Sequence, residues 1–164
     1  MTTTKPFIIS RTLNAPRELV WKVWTQKEHL MKWFGPKGFT MPVSDLDFRV
    51  GGTFLYGMDS PDGTRMWGKW VFREITPPEK LVLVDSFSDE EGNITRHPMA
   101  PAWPREMLTT TTLKESGGKT ELTIEWLPIN ADEDEIAAFE AGRESMKGGW
   151  SGTLERLESY LSNI

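Results

Sequence analysis

The chain has 164 residues, with 19 Lys and Arg against 24 Asp and Glu, and its formal net charge is −5. This length is typical of one folded domain with a sizeable core, so we predict a single domain over residues 1–164. The mildly acidic composition, without a run of basic residues, disfavours nucleic acid and anionic membranes as partners, because both require clustered Lys and Arg. The absence of cysteine excludes disulfides, thiolate zinc sites, iron–sulfur clusters and cysteine nucleophiles.

The sequence contains no signal for export or membrane insertion. Its N-terminus lacks a basic segment followed by an apolar one, and no apolar run approaches the roughly 18 residues of a membrane span. We therefore predict a cytoplasmic protein without membrane insertion. The two histidines, His29 and His97, lie far apart in the chain, so we expect no multi-histidine metal site. No cofactor is predicted.

The first quarter of the chain has the pattern of a strand followed by two short helices. Residues 7–13 alternate between apolar and polar side chains. Pro16 is typical of a helix start, and a second helix is predicted to begin at Thr25, which forms a capping box with Glu28. This second helix should end before Gly35.

From residue 39 to residue 126 the hydrophobic period changes to two, which predicts strands. The candidate strands are residues 40–50, 53–58, 65–75, 81–87, 107–114 and 119–126. Most of the breaks have the length and residue types of hairpin turns, so we expect an antiparallel sheet. The connection 88–105 is longer than usual, which indicates a lid or a functional insertion.

The C-terminal segment has the spacing of one long helix, with Asn130 and Glu133 as its capping pair. At 100° per residue, Arg143 falls inside the apolar stripe of this helix. A guanidinium there needs a partner. That partner is either a carboxylate of a strand or loop, or a carboxylate, phenolate or carbonyl of a ligand.

Together these elements predict an α+β fold in which a curved antiparallel sheet covers its apolar face with the C-terminal helix.

Five ordered blocks carry a family resemblance along nearly the whole chain. They are Ala15-Pro16-Arg17-Glu18-Leu19-Val20-Trp21, Trp33-Phe34-Gly35-Pro36, Asp47-Phe48-Arg49-Val50-Gly51-Gly52, Pro77-Pro78-Glu79-Lys80-Leu81-Val82, and Gly149-Trp150 with Leu154, Leu157 and Leu161.

These blocks resemble the START-like helix-grip superfamily, also called SRPBCC. Within it they resemble the branch of homologues of the activator of the heat-shock protein 90 ATPase. The resemblance implies a six- to seven-stranded antiparallel sheet wrapped around the long C-terminal helix, with two short helices after strand 1. It also implies a hydrophobic cavity between the sheet and the C-terminal helix.

The 8 Trp and 8 Phe residues either fill a core or line that cavity. The predicted ligand-binding set combines rings and methionines of the strands and the last helix with Trp33, which would close one end, and with Arg143 as a polar anchor. This set is Trp33, Phe54, Tyr56, Trp70, Phe72, Phe87, Met107, Arg143, Met146 and Trp150.

No catalytic residue is predicted. His97 has no cysteine partner, and no pair of carboxylates indicates acid–base chemistry. The glycine pair at 51–52 is more typical of a hairpin than of a phosphate-binding loop, and the acidic run 132–135 of a helix start rather than a calcium loop.

Three functions remain open from the sequence. The first is binding of a hydrophobic or aromatic small molecule, such as a lipid, in the cavity. The second, suggested by the family resemblance, is a co-chaperone-like module for a heat-shock ATPase in the stress response. The third is a cyclase or hydrolase that uses the same cavity. The protein is expected to be a monomer or a homodimer.

Overall fold

The computed structural model describes residues 4–164 and has the predicted α+β architecture. Its elements are β1 (Phe7–Leu13), α1 (Arg17–Thr25), α2 (Lys27–Trp33), β2 (Thr40–Leu46), β3 (Thr53–Asp59), β4 (Arg65–Thr76), β5 (Lys80–Ser88), β6 (Ile94–Thr95), β7 (Glu106–Ser116), β8 (Lys119–Ile129), α3 (Glu133–Ala141) and α4 (Arg143–Ser162). Across residues 4–164, no helix combines the length and the apolar character needed to cross a membrane.

The strands form one antiparallel sheet in the order β1-β8-β7-β5-β4-β3-β2. The two-residue strand β6 pairs with β5 beside this path, which makes eight strands within residues 4–164 in place of the six or seven predicted. Strand β6 lies inside the long connection, and two residues are too few to produce a readable alternation.

The register of the strands shows which side chains lie side by side on one face of the sheet. Phe54 of β3 pairs with Trp70 of β4, Trp70 pairs with Asp85 of β5, and Asp85 pairs with Met107 of β7. Directly paired residues project to the same face, so these four side chains form one row across the sheet. Asp85 is the only ionisable member of this row.

The predicted capping box of the second helix is wrong. Thr25 is the last residue of α1, and its hydroxyl donates to the carbonyl of Trp21 at 2.7 Å. Gln26, with extended backbone, is the N-cap of α2 and makes no side-chain cap. A residue that is still helical cannot adopt the extended backbone of an N-cap, and this is why Thr25 does not serve as one.

The predicted long C-terminal helix is confirmed, but its predicted start is corrected, because the first part of the segment is a separate helix, α3, that meets α4 at Gly142. The capping box uses Asp132 and Glu135 rather than Asn130 and Glu133. The Asp132 carboxylate accepts from the backbone N–H of Glu135 at 2.8 Å, and the Glu135 carboxylate accepts from the N–H of Asp132 at 3.0 Å. The 20-residue α4 is the long C-terminal helix of the fold.

Buried side chains form two apolar clusters. The larger joins α1, α2 and α4 to the sheet, and the smaller consists of Phe7, Met107, Phe139 and Met146. Ile9 and Trp150 pack against both clusters, so they connect the two parts of the core.

Candidate functional site

A cavity of about 810 Å³ lies between the sheet and the helices α3 and α4. Strands β3, β4, β5, β7 and β8 contribute to its lining, together with the segment after α2 and the connection before β7. Arg105 and Gly149 belong to the lining and are exposed, so the cavity opens to solvent beside them. Its volume is in the range of pockets that hold drug-sized molecules.

The cavity walls are rich in aromatic side chains. The rings of Phe34 and Trp70 meet edge to face with centroids 5.1 Å apart, and those of Trp126 and Trp150 do so at 5.7 Å. Tyr56 crosses β4 directly above Gly68, where an added Cβ would lie 2.4 Å from the tyrosine ring. Glycine at 68 is therefore required for the position of Tyr56.

Asp85 is a carboxylic acid in this apolar lining. Its Oδ2 accepts hydrogen bonds from the hydroxyl of Thr109 at 2.7 Å and from the indole N–H of Trp126 at 2.9 Å. Burial raises the pKa of Asp85 to about 6, because the charged form loses hydration; the two hydrogen bonds oppose this effect. The side chain is not fully shielded, and we attribute its remaining exposure to the cavity it lines.

Two other titratable side chains in the lining are neutral near pH 7. Burial, and then the charge of Asp85, raise the pKa of Tyr56 above its ordinary value. Desolvation lowers the pKa of His97. The His97 ring lies against Phe87 with centroids 4.6 Å apart, and its Nδ1 accepts from the backbone N–H of Met99 at 3.0 Å.

The segment 89–105 is fastened to α3 and thereby forms one side of the cavity. Arg96 donates to the carbonyl of Pro101 at 2.9 Å and lies 3.4 Å from the buried carboxylate of Glu135. Trp103 packs on Phe139 with ring centroids 6.2 Å apart. Its ring also lies against Gly142, at the junction of α3 and α4.

The structure brings six of the ten predicted ligand-binding residues to the cavity lining. These six are Tyr56, Trp70, Phe87, Met107, Met146 and Trp150. Trp33, Phe54 and Phe72 lie instead in the larger core cluster. The Trp33 indole donates to the carbonyl of Val23 at 3.0 Å, so its polar edge is used inside the protein.

The structure does not support the predicted role of Arg143 as a polar anchor of the cavity. Arg143 is the first residue of α4, after the junction at Gly142, and it does not line the cavity. Its guanidinium pairs with Glu140 at 3.0 Å and donates to the carbonyl of Lys5 at 2.6 Å. The Cζ of Arg143 also lies over the ring of Phe139, 5.0 Å from its centroid, so Arg143 does contact the predicted apolar stripe. The partner therefore lies within the protein, but it is Glu140 of helix α3 and not a carboxylate of a strand or loop.

Asp85 and Trp126 are among the cavity residues that the sequence interpretation missed. The alternation of the strand could have identified Asp85, because residues 81, 83, 85 and 87 share one face of that strand. That face is otherwise apolar, with Leu81, Leu83 and Phe87, so an aspartate among them indicates a buried carboxyl.

Among residues 4–164, no group of three or more His, Asp or Glu side chains is arranged to hold a metal ion.

An open antiparallel sheet with a long C-terminal helix across it defines the helix-grip class of α+β proteins. Residues 14–162 match the family described as activator of Hsp90 ATPase homolog 1-like protein, and the chain belongs to this family. No curated protein gives a significant match.

Solved structures of bacterial proteins share the whole fold. A solution structure from Arthrobacter aurescens has 27% identity and a TM-score of 0.78, covering 100% of this chain and 92% of the other. A crystal structure from Nitrosomonas europaea has 25% identity and a TM-score of 0.75, with coverage of 99% and 97%. A Silicibacter pomeroyi AHSA1 protein, at 19% identity, TM-score 0.71 and coverage of 96% and 97%, shares the fold alone.

Proposed function

We propose that this protein binds a hydrophobic or aromatic small molecule in the cavity between the sheet and its C-terminal helices. The observation that carries the proposal is an open, largely apolar space of about 810 Å³ in a chain of 164 residues. Protein interiors are normally packed without such voids, so a space of this size is best explained by an occupant. A cytoplasmic location, as predicted from the sequence, is part of this proposal.

The lining supports an aromatic ligand in particular. Trp70, Trp126 and Trp150 offer ring faces and edges, and aromatic pairs contribute beyond the area they bury. Met107 and Met146 add flexible, polarisable contacts that adapt to the shape of a ligand. We include Tyr56 and Phe87 among the residues that would contact the ligand.

Native mass spectrometry of the freshly purified protein is the first test. The native mass is compared with the denatured mass, and any released molecule is identified. A bound apolar molecule supports the proposal and names the ligand class. If the protein is free of ligand, it is challenged with fatty acids, flavonoids and aromatic polyketides.

Two neighbouring glycines of α4 give a matched pair of variants for this binding assay. Gly149 lines the cavity and Gly148 does not, and an added Cβ meets no atom within 4 Å at either position. We expect Gly149→Leu to occupy the cavity and to weaken binding at least about tenfold, a loss that corresponds to about 1.4 kcal/mol. Gly148→Leu should leave affinity within about twofold. Equal effects of the two variants, or no binding by any member of the panel or by an aromatic amine, would overturn the proposal. A heat-shock ATPase assay would then test the co-chaperone-like hypothesis.

A further inference from the structure

We propose that the ligand of this cavity carries a protonated amine that donates a hydrogen bond to Oδ1 of Asp85. This inference rests on the proposed function, because it specifies the polar group of a molecule held in the same cavity. The proposed function requires only an apolar ligand, whereas this inference also specifies a cationic group on that ligand. It excludes fatty acids and other carboxylates as the preferred ligand class.

The first observation is the unequal use of the two carboxylate oxygens. Oδ2 of Asp85 accepts from both Thr109 and Trp126. No hydrogen bond to Oδ1 is formed within residues 4–164. The protein therefore orients the carboxyl group through one oxygen and leaves the other to accept a hydrogen bond from a molecule in the cavity.

The second observation is that Asp85 has no cation beside it. Within the described chain, no Lys, Arg or His nitrogen lies within 4.0 Å of its carboxylate. The other titratable side chains of the lining are Tyr56 from β3 and His97 and Arg105 from the connection before β7. Helices α3 and α4 contribute none. A buried carboxylate without a counterion favours a ligand that brings a positive charge.

The third observation is the aromatic surroundings of this carboxylate. Trp70 pairs directly with Asp85 across the sheet, and the Trp126 indole is held by it. Organic ammonium groups are attracted to the faces of indole rings, and this attraction increases when water is excluded. A carboxylate ligand would instead place a second negative charge beside Asp85, which is unfavourable at this depth.

Isothermal titration with naphthylmethylamine, naphthylmethanol and naphthoate tests the inference, since these probes share the ring system and differ in their polar group. We expect the amine to bind at least about tenfold more tightly than the alcohol at pH 7.5, because charge-assisted hydrogen bonds are strong. Naphthoate should bind most weakly. In Asp85→Asn the affinities for the amine and the alcohol should agree within about threefold.

Amine affinity measured at several pH values tests whether Asp85, and not another titratable group, controls binding. Affinity for the amine should rise about tenfold from pH 5 to pH 7.5, because the pKa of Asp85 is raised to about 6 and its charged form is the one that binds. This rise should persist in His97→Gln and disappear in Asp85→Asn. Thermal unfolding of both variants checks that they are folded.

The outcomes distinguish this inference from the proposed function. If all three probes bind with similar affinity and Asp85→Asn has no effect, the cavity binds apolar ligands but the amine inference is wrong. Preference for naphthoate would also overturn it. If neither the probes nor any member of the ligand panel binds to the folded protein, the proposed function fails together with the inference.

Discussion

The Asp85 carboxyl is expected to make stability depend on pH. Its pKa is raised from 3.8 to about 6 on folding, so the native state binds more protons than the unfolded state between these values. The favourable contribution of the protonated group is complete below pH 3.8 and is lost as pH rises through about 6. Ionised Asp85 therefore costs up to about 3 kcal/mol at pH 8.

Replacing Asp85 by Asn removes this cost, because an amide oxygen still accepts from Thr109 and Trp126. We expect the free energy of unfolding of Asp85→Asn to exceed that of the wild type by about 1–3 kcal/mol at pH 8. The difference should shrink steadily towards pH 5. Urea unfolding at several pH values measures it, and a difference independent of pH would contradict the assignment.

Arg143 is expected to contribute to stability and not to ligand binding. Its guanidinium pairs with Glu140 and with the backbone before β1, and its side chain is 31% exposed. Arg143→Ala should lower the free energy of unfolding by about 1 kcal/mol or less, because exposed ion pairs contribute little. Ligand affinity should stay within about twofold of the wild type. A tenfold loss of affinity without loss of stability would contradict this expectation and show that Arg143 contributes to ligand binding.

At the scale of elements, the junction between α3 and α4 depends on a ring from the long connection. A Cβ at Gly142 would lie 2.7 Å from the Trp103 ring and 3.2 Å from the carbonyl of Ala138. We expect Gly142→Ala to lower the free energy of unfolding by about 1–3 kcal/mol through overpacking. Gly148→Ala is the matched control, since a Cβ there meets nothing within 4 Å.

The control variant should raise the free energy of unfolding by about 0.5–1 kcal/mol, because alanine is a better helix former than glycine. Urea unfolding followed by far-UV circular dichroism measures both changes. If both substitutions were stabilising, the Trp103 ring would move aside at little cost. The contact between the segment 89–105 and α3 would then be weak, contrary to this prediction.

At the scale of the whole molecule, the two apolar clusters are expected to unfold together. Ile9 and Trp150 pack against both clusters, and the sheet connects every strand from β1 to β2. Tryptophan fluorescence and far-UV circular dichroism should therefore give coincident urea transitions, as in a two-state domain. Two separated transitions would contradict the prediction of a single domain over residues 1–164.

The sequence by itself determined the sheet and the class of fold. Period-two alternation is a local property of the strands, so their positions were predicted to within a few residues of the observed β2–β5, β7 and β8. The face of the sheet that carries Tyr56, Trp70 and Phe72 is determined in the same way. Helix ends were less predictable, because Thr25 and Asn130 have the right residue types but the wrong backbone conformation for a cap.

Only the tertiary structure decided which apolar side chains fill the core and which line the cavity. Phe54 and Trp70 are paired on one face and both belong to the larger cluster, yet Trp70 lines the cavity and Phe54 does not. The difference depends on how closely the helices approach each part of the sheet, which no local pattern encodes. The contacts of Arg143 depend likewise on Lys5, a residue distant in the chain whose carbonyl accepts from the guanidinium.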